Sequence, residues 1–134
     1  MDSNTKLTVQ IRSFSYKRGI PYDESGHGGG YVFDCRSILN PGKFERYMML
    51  SGKDREVVDF FLKNTRMEAF IDLAYRMVRM SVETYMERGF THLMVAFGCT
   101  GGQHRSVYCA ERLAERIKQD YKVGVDLAHL DLKN

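Results

Sequence analysis

Between residues 98 and 106 the chain reads GCTGGQHRS. Cys99, Arg105 and Ser106 stand at the spacing Cys-x5-Arg-Ser, that of a thiolate nucleophile set in a phosphate-cradling loop. Gly101 and Gly102 let successive backbone amides turn inward and let a ligand approach the main chain closely. Arg105 adds a planar fork that can pair two phosphate oxygens, and His104 and Ser106 add further donors. Helix-start amides and a neighbouring arginine both favour the thiolate of Cys99. The plain alternative is a tight strand-to-helix turn with no ligand.

The flanking pattern gives the loop its setting. HLMVAFG, residues 92–98, is a continuous apolar run, as expected of a strand covered on both faces. Residues 104–120 read as a helix, with Val107, Ala110, Leu113, Ala114 and Ile117 as its apolar stripe. A loop that leaves a strand and opens a helix presents free N–H groups and the positive end of the helix dipole to an anion. Upstream, KLTVQIRSF (6–14) alternates as a half-buried strand, and YVFDC (31–35) reads as a second strand after a long glycine-rich loop containing Pro21. Asn40-Pro41-Gly42 is a stop signal. Short helices are expected over 43–50 and 54–63.

The clearest helix is 65–88. Thr65 and Glu68 form a capping-box pattern, and Phe70, Ala74, Met77 and Ser81, with Ile71, Val78 and Val82, give one buried face. VGVDLAHL (123–130) is a last strand. The element order predicts a single α/β domain over residues 1–134, with a partly parallel, mixed sheet flanked by helices.

Composition narrows the function. A chain of 134 residues with 43% hydrophobic and 28% charged residues suits one soluble core, and no apolar run approaches membrane-spanning length. The N-terminus has no signal-like apolar segment, and three cysteines are too few for a disulfide scaffold, so a reducing, cytoplasmic setting is expected. A net charge of +3 is too mild to imply nucleic acid by itself. His27, His92 and His129 lack metal-ligand spacing, and neither metal nor cofactor is implied. Cys35 and Cys109 read as small buried residues.

The loop resembles that of the cysteine-dependent phosphatases, His-Cys-x-x-Gly-x-x-Arg-Ser/Thr, at Cys99, Gly102, Arg105 and Ser106, but Gly98 replaces the histidine. That chemistry also needs a mobile general acid. Asp72 falls in the middle of a helix, and Asp126 and Asp131 lie in or beside the last strand, so the acid is unassigned and Cys99 is a nucleophile only in this alternative.

A second resemblance covers residues 11–117. GCTGGQHRSVYCAERLAERI resembles the signature of the C-terminal domain of the RapZ family, IRSFSYKRGIP resembles its Ser-Phe-Gly-Phe-Lys-x-Gly-x-Pro with Ser15 for Gly, and FDCRSILNP resembles its Phe-Asp-Val-Arg-Phe-x-x-Asn-Pro. The resemblance implies a sensory or regulatory domain that binds a small phosphorylated ligand. In the family this is the amino-sugar phosphate glucosamine-6-phosphate, together with small regulatory RNAs; a nucleotide is the other ligand class. Carried over by motif position, Cys99, Thr100, Gly101, Gly102, His104 and Arg105 form the anion cradle, with Ser106 beside it. Asp34 and Arg36 face the same crevice, with Ser13, Lys17 and Asn40 as weaker candidates. Asp34 would accept from sugar hydroxyls or an ammonium. The plain alternative for Asp34 and Arg36 is a structural ion pair supporting the Asn40-Pro41 turn.

Two departures accompany the match. The family usually carries an N-terminal nucleotide-binding domain whose Gly-x-x-x-x-Gly-Lys-Ser/Thr loop does not occur here, and its basic tail is replaced by the nearly neutral HLDLKN. Phosphate-backbone contacts need cations, so the neutral tail weakens RNA as a partner. Arg76, Arg79, Arg112, Arg116 and Lys118 remain as an alternative basic surface, or as solvated helix faces with Glu partners. A homo-oligomer and a separate kinase-like partner chain are further expectations, and no membrane partner is implied.

Overall fold

The structure is a computed structural model that describes residues 6–133. Four strands, β1 (Thr8–Ser15), β2 (Gly30–Asp34), β3 (His92–Cys99) and β4 (Gly124–His129), form one sheet in the order β2-β3-β1-β4. All three pairings are parallel, where a partly parallel sheet was expected. The reason lies in the connections. A 3-10 turn (Pro41–Lys43) and helices α1 (Glu45–Met48), α2 (Arg55–Asn64) and α3 (Met67–Arg88) join β2 to β3, and α4 (Arg105–Asp120) joins β3 to β4. Each helical connection returns the chain to the same end of the sheet.

One face of the sheet carries the core. Val9 and Ile11 of β1, Leu93, Val95 and Phe97 of β3, and Tyr31 and Phe33 of β2 pack with the buried sides of α2, α3 and α4. The predicted stripe of α4, Val107, Ala110, Leu113, Ala114 and Ile117, is buried throughout. The opposite face is thinner. Phe14, Met94 and Ala96 cluster there with Tyr16, and a cavity of about 320 Å³ lies between the sheet and Pro21, Tyr22 and Glu24. The apolar run of β3 is thus covered on both faces, one of them by side chains and a loop.

The long helix departs from its predicted pattern in two places. Met77 is 52% exposed, because the buried face runs through Met67, Ile71, Ala74, Tyr75, Val78 and Val82, one step round from it. The capping box does not form. Thr65 instead closes the end of α2, its hydroxyl donating to the Phe61 carbonyl and accepting from the Met67 amide, while Glu68 accepts from the Tyr108 hydroxyl at 2.7 Å. A tertiary partner outbids the local one for that carboxylate. At the other end, Gly89 takes a left-handed conformation (φ 71°) that only glycine adopts cheaply, and its amide caps the helix. The expected 43–50 helix is split into the 3-10 turn and the single turn of α1.

Candidate functional site

The carboxyl ends of β1 and β3 lie side by side, Ser15 opposite Cys99, and the GCTGGQHRS loop leaves from there into α4. Gly98, the next-to-last residue of β3, is a glycine for a steric reason. A Cβ on it would come within 2.3 Å of the Phe14 ring and 2.6 Å of the Tyr16 ring. Gly102 turns the chain with φ 71°, packed against Ser15 and Asp131. α4 then starts at Arg105 with no side-chain cap. Among the described residues, none of the amides of residues 100–105 donates to a protein acceptor. That leaves a row of main-chain donors at the positive end of a 16-residue helix.

Arg105 is 5% exposed, and its guanidinium is divided in function. Nη1 donates to the carbonyls of Arg36 and Ile38, both at 3.0 Å, and so fixes the loop that follows β2. Nε is sealed from solvent and has no hydrogen-bond partner. The Nε edge of a guanidinium is one of those that can grip two oxygens of an anion at once. An unpaired buried donor is uncommon and costly.

Asp34 and Arg36 are brought to the same corner, since Arg105 holds the Arg36 carbonyl. Asp34 is fully engaged. Oδ1 accepts from the Arg36 amide and Nε, both at 2.9 Å, and Oδ2 accepts from Nη2 at 2.7 Å. The Arg36 guanidinium also lies 3.8 Å above the Tyr16 ring. The hydrogen bonds from Arg36 hold the Asp34 carboxyl below its ordinary range, and Arg105 adds to the effect. A carboxyl lowered in the folded state stabilises above its unfolded pKa, near ~4, and that stabilisation is lost as pH falls through the folded value. Wild type should therefore hold a small stability margin over Asp34→Asn at neutral pH that closes below about pH 4. Urea unfolding of both proteins across that range checks it. The margin is small because both side chains are 47% exposed.

Other predicted residues are placed differently. Cys99 is buried beneath the loop. Its Sγ donates to Ser106 Oγ at 3.1 Å and accepts the Ser106 amide at 3.4 Å, so these two residues bind each other. His104 donates from Nε2 to the Tyr47 carbonyl at 2.9 Å, which makes it a clasp between α4 and α1. Asn40 Oδ1 accepts from Gly42 and caps the 3-10 turn. Ser13 is buried with its Oγ 2.7 Å from Nδ1 of His129, whose Nε2 donates to Glu111. Thr100 is exposed at the loop, and its carbonyl accepts from Ser15 Oγ at 2.6 Å. The Lys17 amide donates to the same Ser15 hydroxyl. Cys35 and Cys109 are buried as expected, their sulfurs 3.7 Å apart, and burial pushes the Cys109 thiol up.

Four of the five cationic side chains considered as a basic surface have acidic partners: Arg76 and Arg116 with Asp72, Arg79 with Glu83, Arg112 with Glu115. Sequence reasoning missed Gly52, Tyr47 and Gln103. The Gly52 amide donates to the Gln103 carbonyl, and Gln103 donates to the carbonyls of Gly101 and Asp131. The contacts from Gln103 to Gly52 and Asp131 join segments far apart in the chain, and no local spacing signals them. A cavity of about 430 Å³ lies between Val58, Leu62, Tyr108 and Arg112, with Gly52 in its wall. Of the loop, Thr100 and Gly101 are exposed and Gln103 is half-buried, while Cys99, Gly102, His104, Arg105 and Ser106 are buried.

A family model described as the RapZ C-terminal domain matches residues 7–133. The chain is 38% identical over 130 residues to a nucleotide-binding protein of Ruegeria, covering 97% of this chain and 41% of that protein. It is 36% identical over 132 residues to a nucleotide-binding protein of Bacillus licheniformis (98% and 42%), and 34% identical over 126 residues to one of Pseudothermotoga lettingae (94% and 44%). The chain thus spans about two fifths of the length of these curated relatives. With the motifs in order and the match running through every strand and helix of the fold, the chain belongs to the RapZ C-terminal domain family.

Proposed function

We propose that this domain is a regulatory module that binds a small phosphorylated ligand, an amino-sugar phosphate such as glucosamine-6-phosphate or a nucleotide. The observation that carries the reading is the coincidence at one corner of unpaired loop amides and the buried, partnerless Nε of Arg105. A phosphoryl group at this corner would supply acceptors to amides of the loop. The names of the relatives, nucleotide-binding proteins, agree with a phosphate-bearing ligand. The Cys99 sulfur, buried and bonded to Ser106, supports a binding loop rather than an attacking thiolate.

Calorimetric titration of glucosamine-6-phosphate into wild type and Cys99→Ser, with phosphate release assayed in the same samples, tests this. Saturable binding in both proteins without release is expected. Release that vanishes in Cys99→Ser would make the loop catalytic, and absence of binding by sugar phosphate, nucleotide and inorganic phosphate alike would remove the anion site.

A further inference from the structure

Three sulfur atoms gather where the loop after β2 meets α4. Cys35 and Cys109 stand 74 residues apart in sequence, and both are fully buried. Their Sγ atoms lie 3.7 Å apart, and the Cys109 Sγ lies 3.4 Å from the Met67 Sδ. Cys99, by contrast, is turned to the Ser106 hydroxyl. An S–S bond is ~2.0 Å long, so the Cys35 and Cys109 sulfurs must close by about 1.7 Å, within reach of small side-chain rotations.

Buried thiols are ordinarily inert, and burial holds the Cys109 thiol protonated. Access therefore decides their chemistry. Cys35 is anchored to the sheet, its amide donating to the Gly98 carbonyl at 2.8 Å, but the residues after it leave the sheet. Arg36, Ser37 and Leu39 are exposed, and side chains hold that segment: Asp34 at the Arg36 amide, Arg105 at the Arg36 and Ile38 carbonyls. A cavity of about 210 Å³ lies between Ser37, Ile38 and Leu39 on one side and Asn64, Thr65 and Arg66 on the other. Cys35 precedes the first of these segments by two residues, and Met67 follows the second directly. The cavity is therefore the approach to the sulfurs for a small oxidant when the segment shifts.

We propose that Cys35 and Cys109 are an oxidation site, forming a reversible disulfide with a small peroxide as oxidant. One thiol gives up its proton and attacks a peroxide oxygen, forming a sulfenic acid as the O–O bond breaks and water leaves. The second thiol attacks that sulfur, forming the S–S bond and releasing a second water. The two thiols lose two electrons together, and hydrogen peroxide is reduced to two waters. The bond would run alongside the Arg105 clasp, one turn further along α4, and would tie the loop after β2 to that helix covalently.

The test is to add hydrogen peroxide to the folded wild type, denature it, count its free thiols and map its peptides by mass. The count should fall from three to one, with a Cys35–Cys109 cross-linked peptide lighter by two hydrogens than its parts, and dithiothreitol should restore all three. The oxidised protein should melt about 10 °C above the reduced one, because the bond closes a long loop in the unfolded chain. Cys99→Ser should lose two thiols at the wild-type rate, and Cys109→Ala should form no cross-link. Retention of three thiols, loss confined to Cys99, or oxygen gained at Cys35 or Cys109 without a cross-link overturns the proposal. A cross-link that leaves the melting temperature unraised was formed in a distorted chain and overturns it too. Mapping of the wild type decides the matter alone, should a variant fold poorly.

Discussion

Replacing Arg105 by alanine should cost the domain both its ligand and part of its stability. The Nη1 donors close two main-chain carbonyls, that of Ile38 in a buried position and that of Arg36 in a half-buried one. Orphaning a buried acceptor costs about 1–3 kcal/mol, and the half-buried Arg36 carbonyl adds less, so a loss of about 1–3 kcal/mol in the unfolding free energy is expected. Anion affinity should fall by about 2 kcal/mol, roughly thirtyfold, because the Nε edge is lost along with the charge. Arg105→Lys separates the two effects. A lysine keeps the charge and can reach a carbonyl, but it has no planar edge for an oxyanion. Stability should recover in part while phosphate affinity stays low. Urea unfolding and phosphate titration on the same samples give both numbers, and wild-type affinity in Arg105→Ala would remove the arginine from the site.

Gly52→Ala should be the most damaging single-atom change near the loop. A Cβ there would stand 2.3 Å from the His104 carbonyl oxygen and 2.5 Å from the Tyr108 amide nitrogen, both main-chain atoms. Neither can rotate aside, so the first turn of α4 or the 51–54 segment must move. Overpacking of this kind costs about 1–3 kcal/mol and more where the obstacle is backbone. Because Gly52 also donates to the Gln103 carbonyl, the shift would reach the anion loop. The expected result is a lowered melting temperature with weaker phosphate binding. Unchanged melting would mean that the 51–54 segment yields freely and does not brace α4.

The parts of this molecule that were legible in its sequence are those governed by near neighbours. Alternation at Val9 and Ile11, the run before Cys99 and the stripe of α4 all report burial directly, because period and burial are linked within one element. The GCTGGQHRS loop falls where a strand meets a helix N-terminus, as its glycines and flanks implied. The assignments that changed depend on distant groups. Glu68 turned from its local cap to Tyr108, and Met77 was left outside because Tyr75 and Val78 fill the space against the core. His104 found the Tyr47 carbonyl, and Asp131 came to the loop only because β4 pairs with β1. Tertiary pairing decides which of several chemically able side chains is free to meet a ligand.

The all-parallel sheet also bears on how the chain reaches this state. Thr8 pairs with His92 and with Gly124, and Gly30 pairs with Met94, so no strand has a partner close by in sequence. As the chain emerges during synthesis, β1 and β2 have nothing to hydrogen-bond until β3 follows them, and β4 closes last. Non-local pairing of this kind folds slowly, and the waiting strands expose unpaired edges meanwhile. The helices that precede β3 can form first, which makes α2 and α3 the natural early scaffold on which the apolar strands collect.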